Sequence, residues 1–218
     1  MSAEWVVSDA MGVVYEVGDD TNDLLVPYVQ ELNPLISREK INEVYLTASL
    51  GRISSRQFWR DLGFGDRYPR IEEDYLTTCL RLDPGFKGTA EKLLRSYSLA
   101  MLSNDVAEWS VYLRAMFDLD KYFNAVIISG DVGYRKPGRE IFDIFLGKVK
   151  APASNCVFVD DSAKNLRAAA ELGFRTVKFL RGGLSGDSQA DWAVRSFAEL
   201  PDAVDIVFER NMRKGERS

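Results

Sequence analysis

The chain has 218 residues and a formal charge of −5, with 46% hydrophobic and 28% charged residues, which suits a globular protein able to bury a sizeable core. Its Lys and Arg residues are scattered, which argues against nucleic-acid or anionic-membrane binding, since phosphate surfaces are gripped by clustered basic side chains. With no histidine and only two cysteines, Cys79 and Cys156, the sequence excludes Ser-His-Asp triads, His-paired thiols and cysteine zinc sites, so carboxylates, ammonium groups and hydroxyls must carry any chemistry.

The first predicted element is the run WVVSDAMGVV, Trp5 to Val14: a buried strand ending on a carboxylate, Asp9, with Gly12 free to turn the backbone. Between Glu16 and about Asp83 no strand pattern occurs. Helical periodicity over Thr21 to Leu32, Ser37 to Leu50 and Ser54 to Leu62, punctuated by Pro34, Gly51, Gly63 to Gly65 and Pro69, predicts a helical module spliced in after the first strand. Strand-like runs then follow at Leu99 to Ser103, Ala125 to Ser129, Asn155 to Asp160 and Arg175 to Phe179. They alternate with amphipathic helices over Pro84 to Ser96, Val106 to Phe117, Arg139 to Lys148 and Ala163 to Leu172, the last closed by Gly173. Such alternation predicts an α/β domain with a doubly wound parallel sheet. Cys156, inside an apolar run, reads as a small buried hydrophobe, and the polar tail from Glu209 to Ser218 is expected to fray. Apolar runs are strand-sized and the N-terminus has no basic leader, so no membrane span is implied and a cytoplasmic location is expected.

In an open parallel sheet, functional groups collect where strands end. Here the strand ends carry Asp9, then Ser103 and Asn104, then Lys136 in SGDVGYRKPG, then the paired acids Asp160 and Asp161. Singly, each has a plain structural explanation: a strand-terminal Asp or Ser as a helix cap, Lys136 as a turn residue. Together, VVSDAMGVV, LAMLSN, GYRKP with Lys136 and VFVDDSAKNLRAAAELGF resemble the haloacid dehalogenase (HAD) superfamily, in the group with a helical cap after the first strand. GRISSRQFW in the insertion is also similar to cap helices of that group.

The resemblance implies a Rossmann-like core of strand order 3-2-1-4-5, made from residues 1–15 and 84–218, with residues 16–83 as the cap. It makes Asp9 a nucleophile that forms an aspartyl-phosphate, Ser103 a donor to the transferred group and Asn104 an orienting neighbour. Lys136 contacts substrate and, with Mg²⁺, keeps Asp9 ionised. Asp160 positions Lys136, while Asp9, the Met11 carbonyl and Asp161 hold Mg²⁺, and Asn165 supports the same motif. The substrate expected is a small phosphorylated metabolite, with the protein a monomer or homodimer.

Met11 departs from the pattern. Most phosphatases of the superfamily have there a second Asp that protonates the leaving oxygen and activates water; a thioether does neither, and losing such a group costs about a hundred- to ten-thousandfold in rate. Three accounts follow. The protein is a Mg²⁺-dependent phosphatase, slow or with an acid from elsewhere, the nearest being Glu16 and Asp19, Asp20 and Asp23; for that cluster a solvated, helix-capping loop is the favoured reading. Or it hydrolyses carbon-halogen bonds without metal, as the dehalogenases with a DAxG start do, against which stands the retained Asp161. Or it binds phosphate without turnover. The first is preferred because Lys136 and Asp161 are both present. For contact with the non-reacting part of the substrate the cap offers Tyr45, Arg52, Arg56 and Trp59, with core packing favoured for the aromatics.

Overall fold

The computed structural model of the chain describes residues 3–181 and 190–215. In order along the chain it contains β1 (Trp5–Ser8), α1 (Val26–Leu32), α2 (Arg38–Ala48), α3 (Ser55–Asp61), α4 (Arg70–Cys79), α5 (Phe86–Leu93), β2 (Ser98–Ser103) and α6 (Ala107–Met116). There follow β3 (Ala125–Ile128), α7 (Ser129–Val132), α8 (Arg139–Val149), β4 (Cys156–Asp160), α9 (Ala163–Glu171), β5 (Arg175–Phe179), β6 (Trp192–Val194) and α10 (Leu200–Gly215).

Side chains alternate across a strand, and in β1 that alternation divides the core. Val6 packs on one face with Leu99, Met101, Val157, Val159 and Val177, under α5, α6 and α10. Trp5 and Val7 point to the other face with Ala100, Leu102 and Phe158, under Ile141, Phe142 and Phe145 of α8 and Leu166 and Ala169 of α9. Strands buried on both faces are apolar throughout, which is why β1, β2 and β4 were readable as unbroken runs. The sheet is parallel in the order β3-β2-β1-β4-β5-β6, so the expected order holds and β6 extends it beside β5. The register places Val7 level with Ala100 and Phe158, which brings Asp9, Ser103 and Asp160 to the same sheet edge.

Residues 21–79 contain helical elements only, beginning with a π-type turn over Thr21–Leu25. Ser37 and Ser54 start α2 and α3 by accepting the backbone N–H of Lys40 and Gln57, both at 3.2 Å. The outgoing and returning chain run side by side: Glu16 N–H donates to Arg81 C=O at 3.0 Å and Asp83 N–H to Val14 C=O at 3.0 Å. Arg181 ties both crossings, donating to the carbonyls of Gly12 (3.0 Å) and Val13 (2.6 Å) and to Asp83 (2.5 Å).

The sequence reading departs from the structure at four places. Helices α4 and α7 and strand β6 were not foreseen, and the tail continues as helix α10 through Gly215, its Ala203, Val204, Val207 and Phe208 packed in the core. Gly173 follows α9 with φ of +91°, as its expected capping role requires, and Cys156 is buried.

Candidate active site

Asp9 is the first residue past β1, and its backbone N–H still donates to Val159 C=O at 2.9 Å, so the carboxylate is set at the rim by the sheet itself. Lys136 bridges it to β4: Nζ lies 2.8 Å from Asp9 Oδ1 and 2.9 Å from Asp160 Oδ2. Asp160 is committed on all sides, since it also accepts from Asn165 Nδ2 at 3.1 Å and from Ser162 N–H at 2.6 Å. Its geometry is that of a residue holding Lys136 in place. Asn104 grips the same lysine from behind, with Nδ2 donating to Lys136 C=O at 2.9 Å and Oδ1 accepting Lys136 N–H at 2.8 Å. The Asn104 side chain therefore orients the loop of Lys136, and Asn104 also lines the cavity described below.

Ser103 is fully buried at the end of β2, and its hydroxyl has no hydrogen-bond partner among the described residues. A buried orphan hydroxyl costs about 1–3 kcal/mol, so one held at the sheet edge that carries Asp9 marks a place for an acceptor.

Asp161 completes the group. One carboxylate oxygen each from Asp9, Asp160 and Asp161 falls within 4.8 Å of the others. Gly12 and Gly18 make room for Asp161: a Cβ on either would sit 2.2 Å or 2.1 Å from its Oδ2. Gly12 also has φ of +74°, so both conformation and space demand glycine there. Asp160 is engaged by Lys136, Asn165 and Ser162 together, so Asp9 and Asp161, with the backbone of Met11 that lines the same cavity, could offer an all-oxygen set that fits a hard cation such as Mg²⁺.

Electrostatics agree. Burial pushes the Asp9 carboxyl up to about 8; Lys136 opposes this, while Asp160 and Asp161 add to it. Asp161 is raised to about 6, by burial and then by Asp160. Burial works against the Lys136 ammonium, but Asp160 and Asp9 outweigh it and hold its pKa above the ordinary value. Lys136 lowers the Asp9 carboxyl without outweighing its burial, and the sequence expectation pairs that lysine with a cation.

A cavity of about 440 Å³ opens over this edge, lined by Asp9, Met11, Asp20, Tyr45, Arg135 and Asp161 among others. Of the four side chains offered for the substrate's remote part, Tyr45 lines it, its hydroxyl 3.4 Å from Asn104 C=O; Trp59 is wholly buried among aromatic rings, and Arg52 and Arg56 are exposed away from it. Sequence reasoning passed over Arg135 and Lys164, which also line the cavity, although both sit inside the quoted motifs.

A family model described as haloacid dehalogenase-like hydrolase matches residues 6–173. The chain belongs to the haloacid dehalogenase-like hydrolases. This HAD hydrolase is 32% identical over 113 residues to a glyceraldehyde 3-phosphate phosphatase of Methanocaldococcus jannaschii, covering 50% of this chain and 46% of that one. It is 28% identical over 176 residues to the drimenol cyclase drtB of Aspergillus calidoustus, covering 73% of this chain and 33% of that protein. The chain thus spans between a third and about half of the length of these curated relatives. Among solved structures, a HAD phosphatase from Thermococcus onnurineus superposes with a TM-score of 0.69 at 24% identity, over 94% of this chain and 98% of that one. A HAD family enzyme of Bacteroides thetaiotaomicron, in complex with magnesium and inorganic phosphate, superposes with a TM-score of 0.71 at 18% identity, over 85% of this chain and 98% of that one. No helix among the described residues is long and apolar enough to cross a membrane.

Proposed function

We propose that this HAD hydrolase is a Mg²⁺-dependent phosphatase of small phosphorylated metabolites, working through a phosphoryl group carried on Asp9, with residues 16–83 as the cap over the site. The observation that carries this reading is Asp161, a carboxylate cradled by Gly12 and Gly18 within 4.8 Å of Asp9. Metal-free carbon-halogen hydrolysis would leave that charge beside the nucleophile, where Lys178 and Lys136 offset it less than burial and Asp160 raise it. A bound Mg²⁺ would be held by Asp9, Asp161 and the Met11 carbonyl, and would supply positive charge to the acid cluster and to the phosphoryl oxygens.

The chain's own residues do the rest. An Asp9 oxygen attacks phosphorus, the bond from phosphorus to the leaving oxygen breaks, and Ser103 Oγ donates to a phosphoryl oxygen, gaining the partner it lacks. Lys136 supplies a fixed positive charge, costing no reorganisation because Asn104 and Asp160 already hold it. Water then attacks phosphorus, phosphate leaves and Asp9 is restored. The cavity is small and polar, and Arg135 and Lys164 on its wall suit a substrate carrying hydroxyl or anionic groups beyond the phosphate. The phosphatases among the relatives support the same substrate class.

The test is hydrolysis of p-nitrophenyl phosphate and a panel of sugar and polyol phosphates with Mg²⁺ or with chelator, beside halide release from 2-haloacids. Chelator-sensitive release of phosphate, abolished in Asp9→Asn, is the expected result. Halide release without any phosphatase activity would overturn the proposal.

A further inference from the structure

An alkoxide is a poor leaving group and must be protonated as it departs, and the water that follows must lose a proton; the Met11 thioether can do neither. Four acids line the cavity: Asp9, Asp19, Asp20 and Asp161. Asp9 is bonded to Lys136, and Asp161 is fixed against Gly12 and Gly18. Asp19 is exposed and acts as the cap of the first helical turn, its Oδ1 accepting Asn22 N–H at 3.2 Å and both its oxygens accepting from Asn22 Nδ2. Asp20 differs from its neighbour. It is 7% exposed, its side chain makes no capping bond although it stands at the first turn, its carboxylate meets the Thr21 N–H, and among the described residues no ion pair engages it. Glu16 and Asp23 are exposed and do not line the cavity.

We propose, on the phosphatase reading above, that Asp20 is the acid-base residue of the reaction, doing from the start of the cap what the residue at position 11 cannot. As Asp9 bonds to phosphorus, the Asp20 carboxyl gives its proton to the departing alkoxide oxygen, which leaves as a neutral alcohol. Asp20, now a carboxylate, takes a proton from water; the oxygen of that water bonds to phosphorus, the bond from phosphorus to Asp9 breaks, and phosphate departs. Burial first, then the charge of Asp19, raises the Asp20 carboxyl to about 7, against the Thr21 N–H and the Arg135 guanidinium, so both protonation states are accessible near neutrality. Asp105, Tyr45 and Tyr75 are the other titratable groups within its field. Since Asp20 sits where the chain enters the helical segment, cap placement and proton transfer are served by one short stretch.

The experiment compares wild type, Asp20→Asn and Asp23→Asn on ribitol 5-phosphate, whose leaving group needs a proton, and on p-nitrophenyl phosphate, whose leaving group does not. Asp20→Asn is expected to lose about a hundred- to ten-thousandfold in kcat on the alkyl phosphate. On the aryl ester it should release one equivalent of nitrophenolate in a burst and then stall, while Asp23→Asn matches wild type on both. Adding Met11→Asp to Asp20→Asn should restore alkyl phosphate turnover, which a merely structural role for Asp20 would not predict. Equal loss on both esters without a burst, or no loss on either, overturns the assignment. A wild type inactive on every phosphate ester would instead remove the phosphatase reading itself, and this assignment with it.

Discussion

Ser103 presents a trade-off at the scale of one atom. Its buried hydroxyl lacks a partner in the free protein, so the group costs folding free energy that binding of a phosphoryl oxygen would return. Ser103→Ala is therefore expected to melt at the same temperature as wild type or higher, while kcat/KM on phosphate esters falls about tenfold or more, the effect of losing one preorganised donor. A parallel thermal melt and kinetic titration check both halves; a variant that melts lower with unchanged kinetics would make the hydroxyl structural. The placement of Asp9, Ser103, Asp160 and Asp161 was legible in sequence wherever a polar residue ended a strand, because strand ends of a parallel sheet converge. Asp20 was not legible: Asp19 and Asp20 are chemically identical neighbours, and only the fold exposes one and buries the other.

Between elements, Glu72 of α4 is the central polar contact. Its carboxylate accepts from Ser55 Oγ at 3.2 Å, from Trp59 Nε1 of α3 at 3.0 Å and from Trp109 Nε1 of α6 at 2.8 Å. It thereby joins the helical segment to the helix that follows β2. Glu72→Leu strands two indole N–H groups in an apolar surround at about 1–3 kcal/mol each, while Glu72→Gln keeps an acceptor oxygen and costs less. Urea midpoints should rank wild type, then Gln, then Leu; equal midpoints would show the bonds to be energetically idle. The same residue explains why α4 escaped the sequence reading. A buried acid falls on the inner face of RIEEDYLTTC, so the apolar period is broken at the position that matters most. Strand β6 escaped because three residues are too few to show alternation, and α10 because its apolar stripe runs into a charged end.

The fold holds the acids of the site largely under burial, and that makes stability and cation binding depend on pH. Asp9, raised from its ordinary 3.8 to about 8, with Asp161 at about 6 and Asp20 at about 7, binds more protons folded than unfolded between those limits. By linkage, cation-free stability is then greatest near the acid end of the window and falls as pH rises toward 8. A divalent cation competes with those protons, so its affinity rises over the same range. The gain in melting temperature on adding Mg²⁺ is accordingly expected to be small near pH 5 and to grow through about pH 8. A gain independent of pH would place the cation away from Asp9 and Asp161.

The most direct measurement of the central claim is mass spectrometry of the protein quenched in acid during turnover of p-nitrophenyl phosphate with Mg²⁺. One phosphoryl group on the peptide bearing Asp9, absent from Asp9→Asn and more abundant in Asp20→Asn, is the result this account predicts. Vigorous turnover with Asp9 never modified, or with the label on another residue, would contradict it.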